Sequence, residues 1–282
     1  MKINTLENGW TIQIDDLDLR SASDEEINTI GQLINTNTVV VLRNQKLSTQ
    51  DEIDICNRWG SCRQMPAADF LDGFYVKDTD RHIIRVSGGL DDHGRPGLFG
   101  HVTDLDWHCN DSAHDSRKPL IWLYGVSGTI GSKTSFINNI LSYEALQKED
   151  PEFFNFVKDL KVVCGYETGR YSTLQLTAEH KSINPYFTPG IVHTNIAGKT
   201  GFYFSPLQVF YFDGMTEEES LPILTKLKDH IIQERFMYHH DWQDNDVLLS
   251  EQWLGIHKRW RFEAIANRVL HRIEGSFEHV KF

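Results

Sequence analysis

Two histidines in this sequence have neighbours that suit a metal ion. His108 stands in Asp106-Trp107-His108-Cys109-Asn110-Asp111, and His257 follows 149 positions later (257 − 108) in Trp253-Leu254-Gly255-Ile256-His257. The chain has 13 histidines, so none carries meaning alone; a lone histidine is more often a surface or hydrogen-bonded residue than a ligand. Two imidazoles and an oxygen donor on one face of a ferrous ion leave three positions for a co-substrate and oxygen, as in mononuclear non-haem iron centres. A strand can deliver two such ligands together, because residues i and i+2 point to one side. His108 and position 110 have that spacing, and the second histidine must arrive from a distant strand. Arg272, 15 positions after His257 (272 − 257) in Arg268-Val269-Leu270-His271-Arg272, brings a guanidinium fork suited to a carboxylate co-substrate.

Other polar residues have a functional and a bland reading. His114, Asp115, Arg117 and Lys118 follow the first histidine and either reach substrate or form a solvated loop. Arg259 and Arg261 either recognise a substrate anion or sit on the surface. Tyr166, Arg170 and Tyr171 suit a lid or ordinary loop packing. His239-His240 is no metal pair, because adjacent residues on a strand face opposite ways.

The elements that must hold these residues can be read in part from the sequence. Ser23-Asp24-Glu25-Glu26 is a capping box, followed by Ile27, Ile30, Leu33 and Ile34 at helical spacing. The β-branched run 38–42 predicts a buried strand, and a second helix opens at Ser48 and stops at Gly60. Strands are expected at 83–87, 120–126, 201–205, 247–249 and 269–273, with short pieces at 162–163 and 191–192. A helical stretch runs from Ser142 toward Leu160. Thr216 caps another helix, which carries Leu221, Leu224, Leu227 and Ile231. The segment 165–190 has little periodicity and is long for a connection, as lids and disordered excursions are. Short strands bracketed by helices favour a β-sandwich or jelly roll with helical cladding.

Composition bounds the function. The 282 residues suffice for one large domain, and 40% hydrophobic with 24% charged residues is ordinary for a packed globular chain. A net charge of −12 argues against nucleic acid and anionic membrane surfaces as partners, while leaving room for a locally basic pocket. Four cysteines without CxxC pairing argue against a disulfide framework or structural zinc site and fit reduced thiols in a cytoplasm. The N-terminus has no signal-peptide apolar stretch, and no window approaches the roughly 20 apolar residues of a membrane span. A small molecule is the expected partner, with a homo-oligomer possible.

Several motifs in order resemble the taurine dioxygenase/TfdA family over nearly the whole chain. Trp107-His108 resembles its W-H-x-D metal motif, and Gly131-Ser132-Lys133-Thr134 with Ser142-Tyr143-Glu144-Ala145-Leu146 resembles its G-G-x-T…A-Y-E-A-L segment. His193 through Gly198, Phe202-Tyr203-Phe204-Ser205-Pro206 and 214–220 resemble three later elements. The resemblance implies one domain over 1–282: mainly β with flanking helices, a double-stranded β-helix (jelly roll, cupin-like core). It implies Fe(II) held by His108 and His257, with 2-oxoglutarate and O2 as co-substrates. Arg272 and Thr134 would hold the distal carboxylate of 2-oxoglutarate. The implied reaction hydroxylates an unactivated C–H of a small polar or anionic molecule, such as an amino acid or natural-product intermediate, and releases succinate and CO2.

One position departs from the pattern. Residue 110 should be a carboxylate and is Asn. Asn110 could ligate through its amide oxygen, Asp111 could replace it, or water or an exogenous anion could fill the third position, as chloride does in the related halogenases. Loss of activity is a further reading. From another class comes a non-catalytic jelly roll that binds a small acid through Arg272.

Overall fold

The structure, a computed structural model, describes residues 1–66, 73–89, 104–110, 117–165, 186–264 and 267–282. Two helices open the chain's helical content, and both are started by reciprocal side-chain caps. In α1 (Asp24–Asn37) Ser23 Oγ accepts from the Glu26 amide while Glu26 accepts from the Ser23 amide. In α2 (Thr49–Trp59) Ser48 and Asp51 do the same. Each cap satisfies amide donors that a helix start leaves without partners. Ile27, Ile30 and Ile34 on α1, and Ile53, Cys56 and Trp59 on α2, are the buried stripes that the helical spacing predicts.

The strands form two sheets that face each other. The major sheet has the order β1 (Lys2–Thr5), β2 (Ile12–Asp15), β3 (Val39–Leu42), β13 (Val247–Glu251), β6 (Leu120–Ser127), β15 (Val269–Gly275), β4 (Ile84–Ser87). The minor sheet has the order β12 (Met237–Asp241), β7 (Lys133–Asn138), β14 (Gly255–Arg259), β5 (Leu105–His108). Two-stranded pairs join β8 (Val162–Cys164) to β11 (Val209–Phe212) and β9 (Val192–Thr194) to β10 (Thr200–Phe202). The chain crosses from minor to major sheet as it runs β5–β6–β7 and again β12–β13–β14–β15, which is the winding of a double-stranded β-helix. The expected jelly roll with helical cladding is what the chain forms.

Period-two alternation splits the core into layers. Val40, Leu42, Trp122, Leu249 and Ile273 face α1 and α2, while Val39, Val41, Ile121, Leu123, Leu248 and Leu270 face the minor sheet. Behind the minor sheet, Ile137 and Ile256 pack with α3 (Asn139–Glu149), α4 (Pro151–Val157) and α5 (Glu217–Ile231). The predicted helical stretch after Ser142 is therefore two helices. Pro151 cannot donate into a continuing helix, and Asp150 caps the restart by accepting from the Phe153 amide at 3.0 Å. On α5, Leu227 and Ile231 are buried, but Leu221, expected on the same stripe, is 64% exposed. Of the expected lid at 165–190, residues 166–185 lie outside the described residues, including Tyr166, Arg170 and Tyr171. Among the described residues no helix is long and apolar enough to cross a membrane.

Candidate active site

The two histidines singled out by context meet. His108 on β5 and His257 on β14 are direct cross-strand partners, and their ring centroids lie 4.2 Å apart. The β5–β14 register shifts between this pair and the next, in which Arg259 pairs with Leu105. Three steps on β5 therefore match two on β14, so Leu105 and His108 both face the inter-sheet cavity despite their odd spacing. The carbonyl of Asp106 accepts from His108 Nδ1 at 2.6 Å. A carbonyl can only accept, so Nδ1 carries the proton and Nε2 keeps its lone pair for a metal. Burial holds the His108 pKa down at about 4, and burial together with His108 and Arg272 holds His257 well below its usual value. Both imidazoles are thus neutral, the form that ligates.

Asn110 completes the mouth of this group. Its amide donates to Gln252 Oε1 at 2.8 Å, while Gln208 Nε2 donates to the Cys109 carbonyl at 2.8 Å. Two glutamines on separate segments thereby pin the backbone that carries the cavity-lining His108 and Asn110. Asn110 Oδ1 accepts from Arg272 Nη1 at a long 3.4 Å, and its Nδ2 is buried without a hydrogen-bond partner among the described residues. Among those residues no third His, Cys, Asp or Glu joins the two histidines. Asp111, His114 and Asp115 lie outside them. Two neutral imidazoles and an amide side chain whose oxygen is held only by the long Arg272 contact fit a ferrous ion as an N, N, O donor set, with no negative charge supplied by the described residues.

The cavity is lined by Val86, Leu105, His108, Asn110, Leu123, Thr134, His257, Arg259, Arg268, Leu270 and Arg272, and leaves a free volume of about 50 Å³. Its residues stand in two levels. At the level a metal would occupy are His108 and His257, with Arg272 against Asn110. Two residues further along the minor sheet, roughly 7 Å away, Thr134 pairs with Arg259 across the β7–β14 ladder. Trp242 donates its indole N–H to Thr134 Oγ1 at 2.9 Å, and the Arg268 guanidinium lies 5.8 Å from the Trp242 ring centroid. Arg268, which the spacing argument did not single out, thus approaches the tryptophan that bonds Thr134, while Arg272 approaches Asn110. The usable signal was alternation: Arg268, Leu270 and Arg272 occupy one face of the β15 strand line.

The remaining described candidates fall outside the cavity. Arg117 is stacked among Phe187, Tyr203 and Trp253, at 4.6, 4.6 and 5.1 Å from their ring centroids. Lys118 approaches Glu278 at 4.0 Å, and the Arg261 side chain is 67% exposed. His239 and His240 diverge as expected. His239 meets Glu234 at 2.8 Å, and His240 meets Tyr238 at 2.9 Å and Asp246 at 3.2 Å.

Comparison with known proteins agrees with the fold. The family described as "Taurine catabolism dioxygenase TauD, TfdA family" matches residues 2–273. The chain is 23% identical over 283 residues to the alpha-ketoglutarate-dependent 2,4-dichlorophenoxyacetate dioxygenase of Cupriavidus pinatubonensis, covering 95% of each protein. It is 22% identical over 272 residues to pentalenolactone F synthase of Streptomyces avermitilis, covering 90% of this chain and 87% of that one. Among solved structures, AAD-2 in complex with Mn(II) and N-oxalylglycine superposes with a TM-score of 0.83 at 20% identity over 97% of both chains. A taurine dioxygenase from Burkholderia xenovorans gives 0.76 at 19% identity, over 97% of this chain and 88% of that one. With a profile match spanning nearly all its residues, the chain belongs to the TauD, TfdA family of dioxygenases.

Proposed function

We propose that this protein hydroxylates an unactivated C–H bond of a small anionic molecule, coupled to conversion of 2-oxoglutarate and O2 into succinate and CO2. Fe(II) would be held by His108, His257 and the amide oxygen of Asn110. Bound with 2-oxoglutarate and O2, the iron supplies the oxidant for C–H cleavage. The chain's own residues do the placing. Arg268 and Thr134 receive the distal carboxylate of 2-oxoglutarate, since Thr134 has its oxygen engaged by Trp242 and its O–H left to donate. Arg272, expected at that carboxylate, is better suited to an acid group of the substrate, because it stands at the metal level beside Asn110. One relative's named substrate, 2,4-dichlorophenoxyacetate, is itself a carboxylate.

The observation that carries this reading is the direct pairing of two neutral imidazoles, one buried and one partly buried, in a cavity lined by three arginines. Anaerobic titration of the Fe(II)-loaded protein with 2-oxoglutarate tests it: a visible metal-to-ligand charge-transfer band is expected, and its absence would refute the reading. Succinate release across a panel of small carboxylates and sulfonates then narrows the substrate. A second reading, an exogenous halide at the metal, is favoured by the uncharged donor set beside Arg272. It predicts that chloride shifts the same band and that halogenated product forms.

A further inference from the structure

Asn110 lies past the end of the ladder that was expected to orient it. His108 is the last residue of β5, so period-two alternation no longer fixes which way residue 110 faces. Two glutamines, each 2% exposed, take over that task. Gln208 Nε2 donates to the Cys109 carbonyl and Gln252 Oε1 accepts from the Asn110 amide, both at 2.8 Å. That carbonyl and that amide belong to one planar trans peptide group, whose C=O and N–H point to opposite edges, so the plane is gripped from both sides. Gln252 is itself held. Its Nε2 donates to the Lys118 carbonyl, and its backbone amide donates to the Pro119 carbonyl at 2.8 Å. One orientation of the side-chain amide satisfies both neighbours, because its nitrogen can only donate and its oxygen only accept. Gln252 also stands in the turn between β13 and β14, five residues before His257 (257 − 252). The buried Glu251 carboxylate fixes that turn by accepting from the Trp253 and Leu254 amides at 3.1 and 2.8 Å.

We infer that Gln252 is a positioning residue that presents the Asn110 side chain to the metal, by fixing the peptide plane that leads into it. This rests on the proposed ligand set of His108, His257 and Asn110. One short turn then governs two of the three donors: it leads directly to His257, and it reaches Asn110 through a side-chain amide. The Asn110 side chain has little hold of its own, with its oxygen at a long 3.4 Å from Arg272 and its buried nitrogen without a hydrogen-bond partner among the described residues. A neutral donor depends on placement more than a carboxylate does, since no charge draws it to the ion.

A double-mutant cycle on Mn(II) affinity tests the assignment, with metal-free full-length protein titrated and free Mn(II) read by electron paramagnetic resonance. Gln252→Met keeps the bulk of the side chain and removes both of its hydrogen bonds. It is expected to weaken Mn(II) binding about three- to tenfold, and by no more than Asn110→Ala does. In the Asn110→Ala background the same change should alter affinity by less than about twofold. Equal losses in both backgrounds would overturn the inference, since Gln252 would then act on the histidines or on the fold at large. No loss in either background would overturn it as well. Wild-type affinity in Asn110→Ala would remove Asn110 from the proposed ligand set and this inference with it, and wild-type protein that does not bind Mn(II) would overturn the proposed function too. If Gln252→Met does not fold, Gln252→Asn, which keeps the amide and shortens its reach by one methylene, enters the same cycle with the same pattern expected.

Discussion

At position 110 an uncharged amide stands where the family pattern has a carboxylate, and a bound Fe(II) would keep both its charges. Asn110→Asp is therefore expected to raise Mn(II) or Fe(II) affinity about tenfold or more, because a charged oxygen donor is worth well over one factor of ten. Titration of metal-free protein followed by electron paramagnetic resonance checks this. The companion variant Asn110→Ala separates the roles: unchanged affinity would remove Asn110 from the ligand set. Residue identity made this question visible before any coordinates, since position 110 stands two residues after His108 in the W-H-x-D pattern. Which arginine meets which ligand was not visible. Three guanidiniums and Thr134 share one cavity, and only their cross-strand partners sort them into levels.

Strand pairing decides how firmly the site is held. Trp242 follows β12, is almost fully buried, stacks edge-on against His240 at 4.5 Å and hands its indole N–H to Thr134 on β7. Trp242→Phe keeps the aromatic packing and removes one neutral hydrogen bond. Binding of 2-oxoglutarate should weaken about three- to tenfold, with the urea midpoint lowered only slightly. A loss of metal affinity instead would place Trp242's influence at the histidines. Helices α1, α2 and α5 were legible because capping boxes and apolar stripes are local signals. Strands β5, β7, β12 and β14, which build the site, carry mixed polar sequences such as Leu105-Asp106-Trp107-His108 and Met237-Tyr238-His239-His240-Asp241. Their strand character comes from neighbours in the sheet rather than from propensity.

Across the whole molecule, buried titratable groups set how stability responds to pH. Burial raises the Glu251 pKa to about 8, although the amides of Trp253 and Leu254 donate to it. Between its unfolded value and 8 the native state holds a proton that the unfolded state releases, so Glu251 costs stability as pH rises through that window. Burial holds His193 down at about 4 and lowers His240, so these two cost stability as pH falls below about 6.5. The opposed trends place an optimum near pH 6.5. Urea denaturation at pH 6.5 and 8.0 should show Glu251→Gln removing up to about 2 kcal/mol of the wild-type decline. An unchanged decline would mean that Glu251 is ionised in the native protein.

The amino-acid order by itself determined the donor types, their separation along the chain, the capped helices and the alternating apolar runs of the major sheet, because each depends on local chemistry or period. Tertiary structure decided that residues 149 positions apart (257 − 108) face one another, and that a register shift turns Leu105 and His108 to the same side. It also separated buried Arg259 from exposed Arg261 and brought Arg268, not Arg272, to Trp242 beside Thr134. The physical reason is that a sheet pairs residues through hydrogen bonds between distant segments, so a shift of one residue in register redirects every side chain beyond it.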